Sequence, residues 1–294
     1  MTTEFTYIIL INWNGFEDTV RCINSLLISS DFKSIKIVVV DNGSSKKEGE
    51  KLKTIFPNTK VILSAENLGF TGGNNLGLNF AFRQADCGHI MILNNDTTVE
   101  KDFLKPLREY LNSSPKSIVG SKLLYLNKPT KIQTLGGKLM IGGTINIGKN
   151  KDSQKYSKIT HPDFISGACI LASEEAWKDI GLLDNNFFAY FEDLDWCIRA
   201  HNKGYELAII PESIVYHEHS KSLRGSTMKA YFIIRNSIYF ARKHYKFVKK
   251  AFFIINAILI GVILNLLRYR NLSFAKNFYR GIKDGFASRL GNPF

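Results

Sequence analysis

IKIVVVDNGSS, residues 35–45, is the stretch whose reading decides the fold. Ile35–Val40 is apolar and β-branched apart from one lysine, and it shows no inside–outside alternation. Such a run suits a strand buried on both faces, and Asp41-Asn42-Gly43-Ser44-Ser45 supplies the turn chemistry that ends it. A strand covered on both faces belongs in a mostly parallel sheet with helices on either side. The neighbours agree. Thr6–Asn12 (TYIILIN) is a second run of the same kind, and Phe16–Ser29 has apolar residues at Val20, Ile23, Leu26 and Leu27, the spacing of a helix. Downstream, a polar helix over Lys46–Phe56, a strand at Val61–Leu63, a helix over Gly72–Gln84 and a strand at His89–Leu93 continue the rhythm. The predicted class is α/β, with a Rossmann-like, mostly parallel central sheet.

Ligands of such sheets sit beyond the carboxyl ends of the strands. The residues there are Asn12, Asp41 and Asn94-Asn95-Asp96. Each alone is ordinary turn or capping chemistry, with Asn-Asn-Asp-Thr able to cap a helix beginning near Lys101. Three polar strand ends on one rim point to a shared ligand. Asn67–Asn75 (NLGFTGGNN) reads as a glycine-rich turn ahead of a helix, where backbone amides approach phosphate. Its glycines fit neither the dinucleotide fingerprint nor the P-loop, which argues against hydride transfer and P-loop hydrolysis.

After Leu111 the alternation changes. Ile118–Leu126 and Lys131–Ile147 read as strands with a glycine-rich hairpin, Ile165–Leu171 as a strand of small residues, and Glu174–Ile180 as a short helix. Phe187–Arg199 (FFAYFEDLDWCIR) then sets Glu192, Asp193 and Asp195 among aromatic residues. A carboxylate held among rings loses water and gains basicity, as a general base requires; the plainer reading is a helix cap by Asp193. Glu206–Ile210 is a further strand closed by Pro211, and His217 and His219 follow, His217 as a candidate metal ligand beside Asp96.

The net charge of +13 is unevenly distributed. Lys221–Phe294 carries 15 basic residues against the single acid Asp284, whereas the preceding 220 residues hold 24 basic and 25 acidic groups. The same tail contains Ala251–Leu267, uncharged over 17 residues and about 26 Å long as a helix at ~1.5 Å per residue. Against a bilayer core of ~30 Å, and with basic flanks on both sides, it is expected to lie in or on an anionic membrane surface rather than span it. A buried helix or a homodimer interface is the alternative. No arginine-rich recognition helix or RNA-binding aromatic pattern supports a nucleic-acid partner. Four scattered cysteines and the absence of a basic segment before the short apolar run Phe5–Ile11 predict a cytoplasmic protein at the inner face of the membrane. The expected division is residues 1–220 as the catalytic unit and 221–294 as a helical, membrane-associating tail.

Taken together, IILINWNG, VVVDNGSS, ENLGFTGGNNLG, ILNNDT, FISGACIL, IGLLDNNFFAYFEDLDWCIRAHNKGY, VYHEHSKS and YFIIRN run in order across Ile8–Asn236. In these motifs the chain resembles the family 2 inverting glycosyltransferases of the GT-A fold, particularly the bacterial rhamnosyltransferase-like branch that builds surface polysaccharides. The resemblance implies that Asn12 and Asp41 hold the nucleotide base and ribose, and that Asn67, Gly69, Phe70, Gly73 and Asn74 form a second nucleotide-side loop. It aligns Asn94-Asn95-Asp96 with an Asp-x-Asp metal motif whose first carboxylate is here the amide of Asn94. Asp96 is then left to carry Mg²⁺ or Mn²⁺ with His217. It makes Asp193 the base, with Glu192 and Asp195 orienting it or the acceptor, and puts Arg235 near the diphosphate. The implied donor is a dTDP- or UDP-sugar, foremost dTDP-rhamnose, and the acceptor a glycan or polyprenyl-linked glycan. A UDP-hexose or UDP-galactofuranose donor, and a catalytically idle nucleotide-sugar-binding scaffold, are the other readings.

Overall fold

The computed structural model describes residues 4–218, 228–264 and 272–293; His219, Arg268 and Arg270 lie outside the described residues. Its first half alternates as the sequence predicts: β1 (Phe5–Asn12), α1 (Phe16–Leu27), β2 (Ile35–Asn42), α2 (Glu48–Ile55), β3 (Lys60–Ser64), α3 (Gly69–Ala81) and β4 (Cys87–Leu93). β5 (Thr97–Val99), α4 (Leu104–Ser113), β6 (Ser117–Tyr125) and β7 (Lys128–Thr134) follow, then the hairpin β8 (Gly137–Met140) and β9 (Gly143–Asn146). β10 (Cys169–Ser173), α5 (Glu174–Ile180), α6 (Glu192–Asn202) and β11 (Glu206–His217) complete the sheet region, and the tail forms α7 (Met228–His244), α8 (Phe247–Leu264) and α9 (Leu272–Phe286).

Among the described residues the main sheet runs β3-β2-β1-β4-β10-β6-β11-β5, with β7 added on β6. The β3-β2-β1-β4 half is parallel, as its two-face burial demands, and Ile8–Leu10 and Val38–Val40 are fully buried. β10 enters antiparallel between β4 and β6, so the second half is mixed.

Four local expectations change. Asn67–Asn75 is not a glycine-rich turn before a helix: α3 starts at Gly69, so Gly72, Gly73 and Gly77 lie inside it. They are there for close packing, because a Cβ on Gly73 would lie 2.6 Å from the Ile11 side chain and one on Gly77 would overlap Ile9. The helix expected near Lys101 begins at Leu104, and Asn94–Thr97 does not cap it, because Thr97–Val99 pairs with β11. The strand expected over Ile165–Leu171 is Cys169–Ser173. Pro211 does not close β11, whose pairing with β6 shifts register between Ile210 and Ile214 and then continues to His217. The proline, having no N–H, sits where the ladder is already interrupted.

The core is continuous with the tail. Ile234, Ile238, Phe240 and Ala241 of α7, and Phe253 and Ala257 of α8, belong to the same buried cluster as Ile9, Ile92 and Trp196 of the sheet region. Chain on both sides of residue 220 therefore shares one core. The reverse side of α8 is open, with Phe252, Ile255, Leu259 and Ile263 about half exposed. α8 is also the one helix, among the described residues, long and apolar enough to cross a membrane.

Substituting Gly77 by Leu forces a side chain into Ile9 and is expected to cost ~1–3 kcal/mol, visible as a melting temperature lowered by several degrees. Gly143→Ala, whose Cβ meets nothing, is expected to leave thermal unfolding unchanged when measured by circular dichroism alongside it.

Candidate active site

The ends of β1 and β2 are locked together by side chains. Asn12 Nδ2 donates to Asp41 Oδ1 (3.1 Å), Ser44 Oγ (3.1 Å) and Glu48 Oε2 (3.0 Å), while its Oδ1 accepts from Thr19. Asp41 also accepts from Ser44 Oγ and from the Gly49 amide (2.8 Å). Asn12 and Asp41 are thus buried and fully engaged, standing behind the cavity wall. Asn42, not singled out from sequence, shapes the next turn. Its amide donates to Asn67 Oδ1 and the Gly69 carbonyl, and its Oδ1 accepts from the Leu68 N–H.

These turns wall a cavity of about 560 Å³ lined by Trp13, Asn67, Gly69, Phe70 and Asn94-Asn95-Asp96, with Phe188 and Phe232 opposite. Gly73 and Asn74 do not line it; Asn74 is buried and donates to the Phe70 carbonyl. Trp13 is 40% exposed at the rim, an aromatic face positioned for a ring.

Asp96 and His217 come together. The bulge in β11 carries the strand far enough to set His217 opposite Thr97, and His217 Nε2 lies 3.0 Å from Asp96 Oδ1. The other ring nitrogen, Nδ1, is 2.6 Å from Gln133 Oε1, so it carries the hydrogen. Nε2 of His217 thus lies beside a carboxylate oxygen, with Asn94 Nδ2 at 3.3 Å. An imidazole nitrogen and a carboxylate oxygen at that separation are two side chains that could share a cation, with Gln133 as the outer partner that orients the ring. One carboxylate and one imidazole suit a divalent ion that takes its other ligands from water and a substrate phosphate.

The acidic stretch is held by a strained loop. Phe188, Tyr190 and Phe191 all have positive φ (63°, 70° and 75°), unusual for aromatic residues, and α6 begins immediately after them. Asn236 Nδ2 donates to the carbonyls of Phe187, Ala189 and Tyr190, and Arg235 Nη2 to that of Phe187 at 2.7 Å. Arg235, predicted beside the diphosphate, is instead fully buried, with its remaining donors on Gly291 O and Asn236 Oδ1. Its guanidinium is used up inside the fold. α6 is further fixed by Trp196, which packs on Trp177 with tilted rings and centroids 4.0 Å apart.

Asp193 does not cap α6. Its Oδ2 accepts from the Gly167 N–H (2.9 Å) and its Oδ1 from the Leu194 N–H (2.8 Å). Glu192 is buried, and its Oε2 has no hydrogen-bond partner among the described residues. Asp195 points away from both, wholly buried between Arg199 Nε (3.0 Å), Lys243 Nζ (2.8 Å) and His244 Nε2 (2.7 Å). Burial alone would raise its pKa, but the hydrogen bonds from His244 and Lys243 hold it below the ordinary carboxylate value. Its place is in tying α6 to the end of α7.

Residues 7–180 match the sequence profile of glycosyl transferase family 2. The chain belongs to that family. It is 23% identical to the low-salt glycan biosynthesis hexosyltransferase Agl10 of Haloferax volcanii over 97% of this chain and 92% of the relative. It is 22% identical to the dTDP-rhamnosyl transferase RfbF of Shigella flexneri (81% and 80%) and 26% identical to the rhamnosyltransferase WbbL of Escherichia coli (76% and 88%). In structure it is similar to Staphylococcus aureus TarS 1-349 (TM-score 0.59, 14% identity, 97% of this chain and 82% of that one). It is also similar to GalNAc-T7 crystallised with UDP, GalNAc and Mn²⁺ (TM-score 0.62, 14% identity, 80% of this chain, about half of that one). The fold is GT-A.

In this family 2 glycosyltransferase several pocket and support residues gave little sequence signal. Trp13 could have been found as an aromatic directly after a strand end, and Asn42 by its place beside Asp41. Gln133 and Asn236 act through partners more than 40 residues away in the chain, so only the fold reveals them.

Burial first, and then the charge of Asp193, push Glu192 well above the ordinary carboxylate value. Burial also raises Asp193, with the amides of Gly167 and Leu194 opposing. The folded state therefore keeps protons that the unfolded chain releases near pH ~4, and stability falls as pH climbs from there through the raised values. Glu192→Gln is expected to raise the melting temperature at pH 8 and to change it little at pH 4. Thermal unfolding across that range checks the sign.

Proposed function

We propose that the protein is an inverting glycosyltransferase that moves a sugar, foremost rhamnose from dTDP-rhamnose, to a hydroxyl of a lipid-linked or cell-surface glycan. The relatives named as rhamnosyl transferases support the donor, and the open face of α8 with its basic neighbours Lys246, Lys249 and Lys250 supports work at the cytoplasmic membrane surface.

One observation carries the reading. Gly167 is wedged between Phe70, which lines the cavity bearing Asp96, and Asp193; a Cβ there would lie 3.1 Å from the Phe70 ring and 3.5 Å from Asp193 Cβ. A carboxylate of raised basicity is thus separated by Gly167 and the Phe70 ring from the cavity that bears Trp13 and Asp96. On the other side of Asp193 a second cavity opens. Donor and acceptor would meet across it.

In this reading Asp193 takes the proton of the acceptor hydroxyl as its oxygen bonds to the anomeric carbon. The bond to the nucleoside diphosphate breaks on the opposite side, and the configuration inverts. Burial that raises Asp193 makes it a stronger base, while the Gly167 and Leu194 amides keep it oriented. Asp96 and His217 would hold Mg²⁺ or Mn²⁺, which offsets the charge of the departing diphosphate. Asn67, Gly69 and Phe70 would face the nucleotide, while Asn12, Asp41, Gly73 and Asn74 would support it from behind.

The test is release of nucleoside diphosphate from a panel of dTDP- and UDP-sugars, with a lipid-linked glycan extract as acceptor. dTDP-rhamnose is expected to turn over, and Asp193→Asn to lower the rate by ~10²–10⁴-fold with donor binding retained. Turnover of a UDP-hexose instead would replace the donor. Activity surviving EDTA would remove the metal from Asp96 and His217. Tight donor binding without turnover of any donor would mark an idle binder and overturn the transferase reading.

A further inference from the structure

After α9 the chain runs back toward the cavity bearing Asp96. It turns first at Ser288, with φ 55°, where Arg242 Nη1 donates to the carbonyls of Gly285 and Phe286 (3.2 and 3.1 Å) and to Ser288 Oγ (2.8 Å). A second turn follows at Gly291, whose φ of +76° is one that a residue with a side chain rarely adopts. That turn sets up two backbone hydrogen bonds. The Gly291 N–H donates to the Asn186 carbonyl (2.9 Å), and the Gly291 carbonyl accepts from Arg235 Nη1 (2.8 Å). The same guanidinium holds the Phe187 carbonyl at 2.7 Å, so one buried side chain fixes this segment against the strained loop.

Asn292 completes the link. Its Nδ2 donates to the carbonyl of Asn67 (3.5 Å), and Asn67 opens the turn whose Asn67, Gly69 and Phe70 line the cavity. Pro293 favours extended backbone at Asn292, and Arg280 Nη2 holds the Pro293 carbonyl at 3.0 Å. Residues 291–292 therefore touch two walls of one cavity from outside. One wall is the Asn67 turn, and the other is reached through Asn186, the stem of the loop that delivers Phe188. The walls also meet at α3, where the Thr71 N–H donates to the Phe188 carbonyl (3.1 Å) and Asn75 Nδ2 to Asn185 Oδ1 (2.8 Å). Those ties lie within α3. The turn ahead of the helix is held by Asn42 beneath it and by Asn292 from outside.

We propose that Gly291 and Asn292 are positioning residues for the nucleotide-sugar. They set the Asn67 turn against the Phe188 wall, and through that spacing they set the affinity for the nucleoside diphosphate. The inference rests on the transferase reading, because that reading puts the nucleotide against Asn67, Gly69 and Phe70.

Calorimetric titration of the full chain with dTDP and with UDP, in the presence of Mg²⁺, tests it. Wild type is expected to bind at least one of the two. Asn292→Ala deletes the bond to Asn67. Gly291→Ala acts through φ alone, since a Cβ there has room, with the Asn185 carbonyl 4.0 Å away. Each is expected to weaken the nucleotide about two- to tenfold, the range that one hydrogen bond supplies. Ser288→Ala, which touches neither wall, is expected to change nothing. Asn292 is exposed, so Asn292→Ala is also expected to keep the wild-type melting temperature. In turnover it is expected to raise the donor KM by the same factor and leave kcat unchanged, because Asp193 is held by the Gly167 and Leu194 amides.

Nucleotide affinity equal in wild type and both variants overturns the proposal. So does a lowered kcat with KM unchanged, or a loss of affinity in Asn292→Ala matched by a loss of thermal stability. Wild type separates the two failures. If it binds a nucleotide to which the variants are indifferent, only the positioning role falls; if it binds neither nucleotide, the transferase reading falls as well.

Discussion

The side chains of Arg235 and Asn236, gripping the carbonyls of Phe187, Ala189 and Tyr190, are the constraint on which the site depends. Three aromatic residues held at positive φ cost on the order of 1–3 kcal/mol each. Hydrogen bonds of ~0.5–1.5 kcal/mol each, more from a guanidinium, are of the size needed to offset that. A fork of fixed donors suits this work, since several carbonyls of a tight loop converge on one point. Tyr231 and Phe232 complete the grip by placing their rings 5.3 Å and 5.1 Å from the guanidinium carbon. The strain is useful. By turning sharply, the loop sends Phe188 to the cavity bearing Asp96 and Tyr190 and Phe191 to the second cavity, and starts α6 with Glu192 and Asp193 between them.

The same grip makes the tail part of the site. Arg235 and Asn236 lie mid-way along α7, whose C-terminal turn clamps Asp195 through Lys243 and His244. Asp184 is drawn in as well, by Lys243 and Tyr239. Part of the tail's excess positive charge is therefore internal, neutralising carboxylates that hold α6 at the correct angle. Lys249 and Lys250 lie in the first turn of α8, ahead of its exposed apolar face. A segment that looks by composition like an appended anchor is also a wall and a brace.

Much of the parallel half was legible because strands covered on both faces carry an unmistakable run of branched apolar residues; Thr6–Asn12 and Ile35–Val40 left no other reading. The chemistry at their ends was legible for the same reason, since polar residues that end a buried strand must face a rim. What could not be read depends on distant partners. The start of α3 at Gly69 is set by Asn42 and by the close approach to Ile9 and Ile11, which a local glycine signal cannot distinguish from a loop. β11 runs past Pro211 because buried Ser213 bonds Ser121 across the bulge, at 2.7 Å. Arg235 was misplaced because a basic residue in a basic tail carries no mark of being buried.

Asn94 becomes intelligible only with that bulge. As an isolated motif, Asn94-Asn95-Asp96 reads as an Asp-x-Asp that has lost a charge. In the fold, the lengthened β11 brings His217 to the same place, with Nε2 3.3 Å from Asn94 and 3.0 Å from Asp96. An aspartate at 94 would set a second carboxylate oxygen beside the imidazole and Asp96, whereas the amide adds no charge there. The amide at 94 and the histidine at 217 are then one arrangement, in which Gln133 behind the ring and Asn94 beside it hold the imidazole against Asp96. That arrangement carries one negative charge where an Asp-x-Asp would carry two, so the buried end of β11 has less charge to balance.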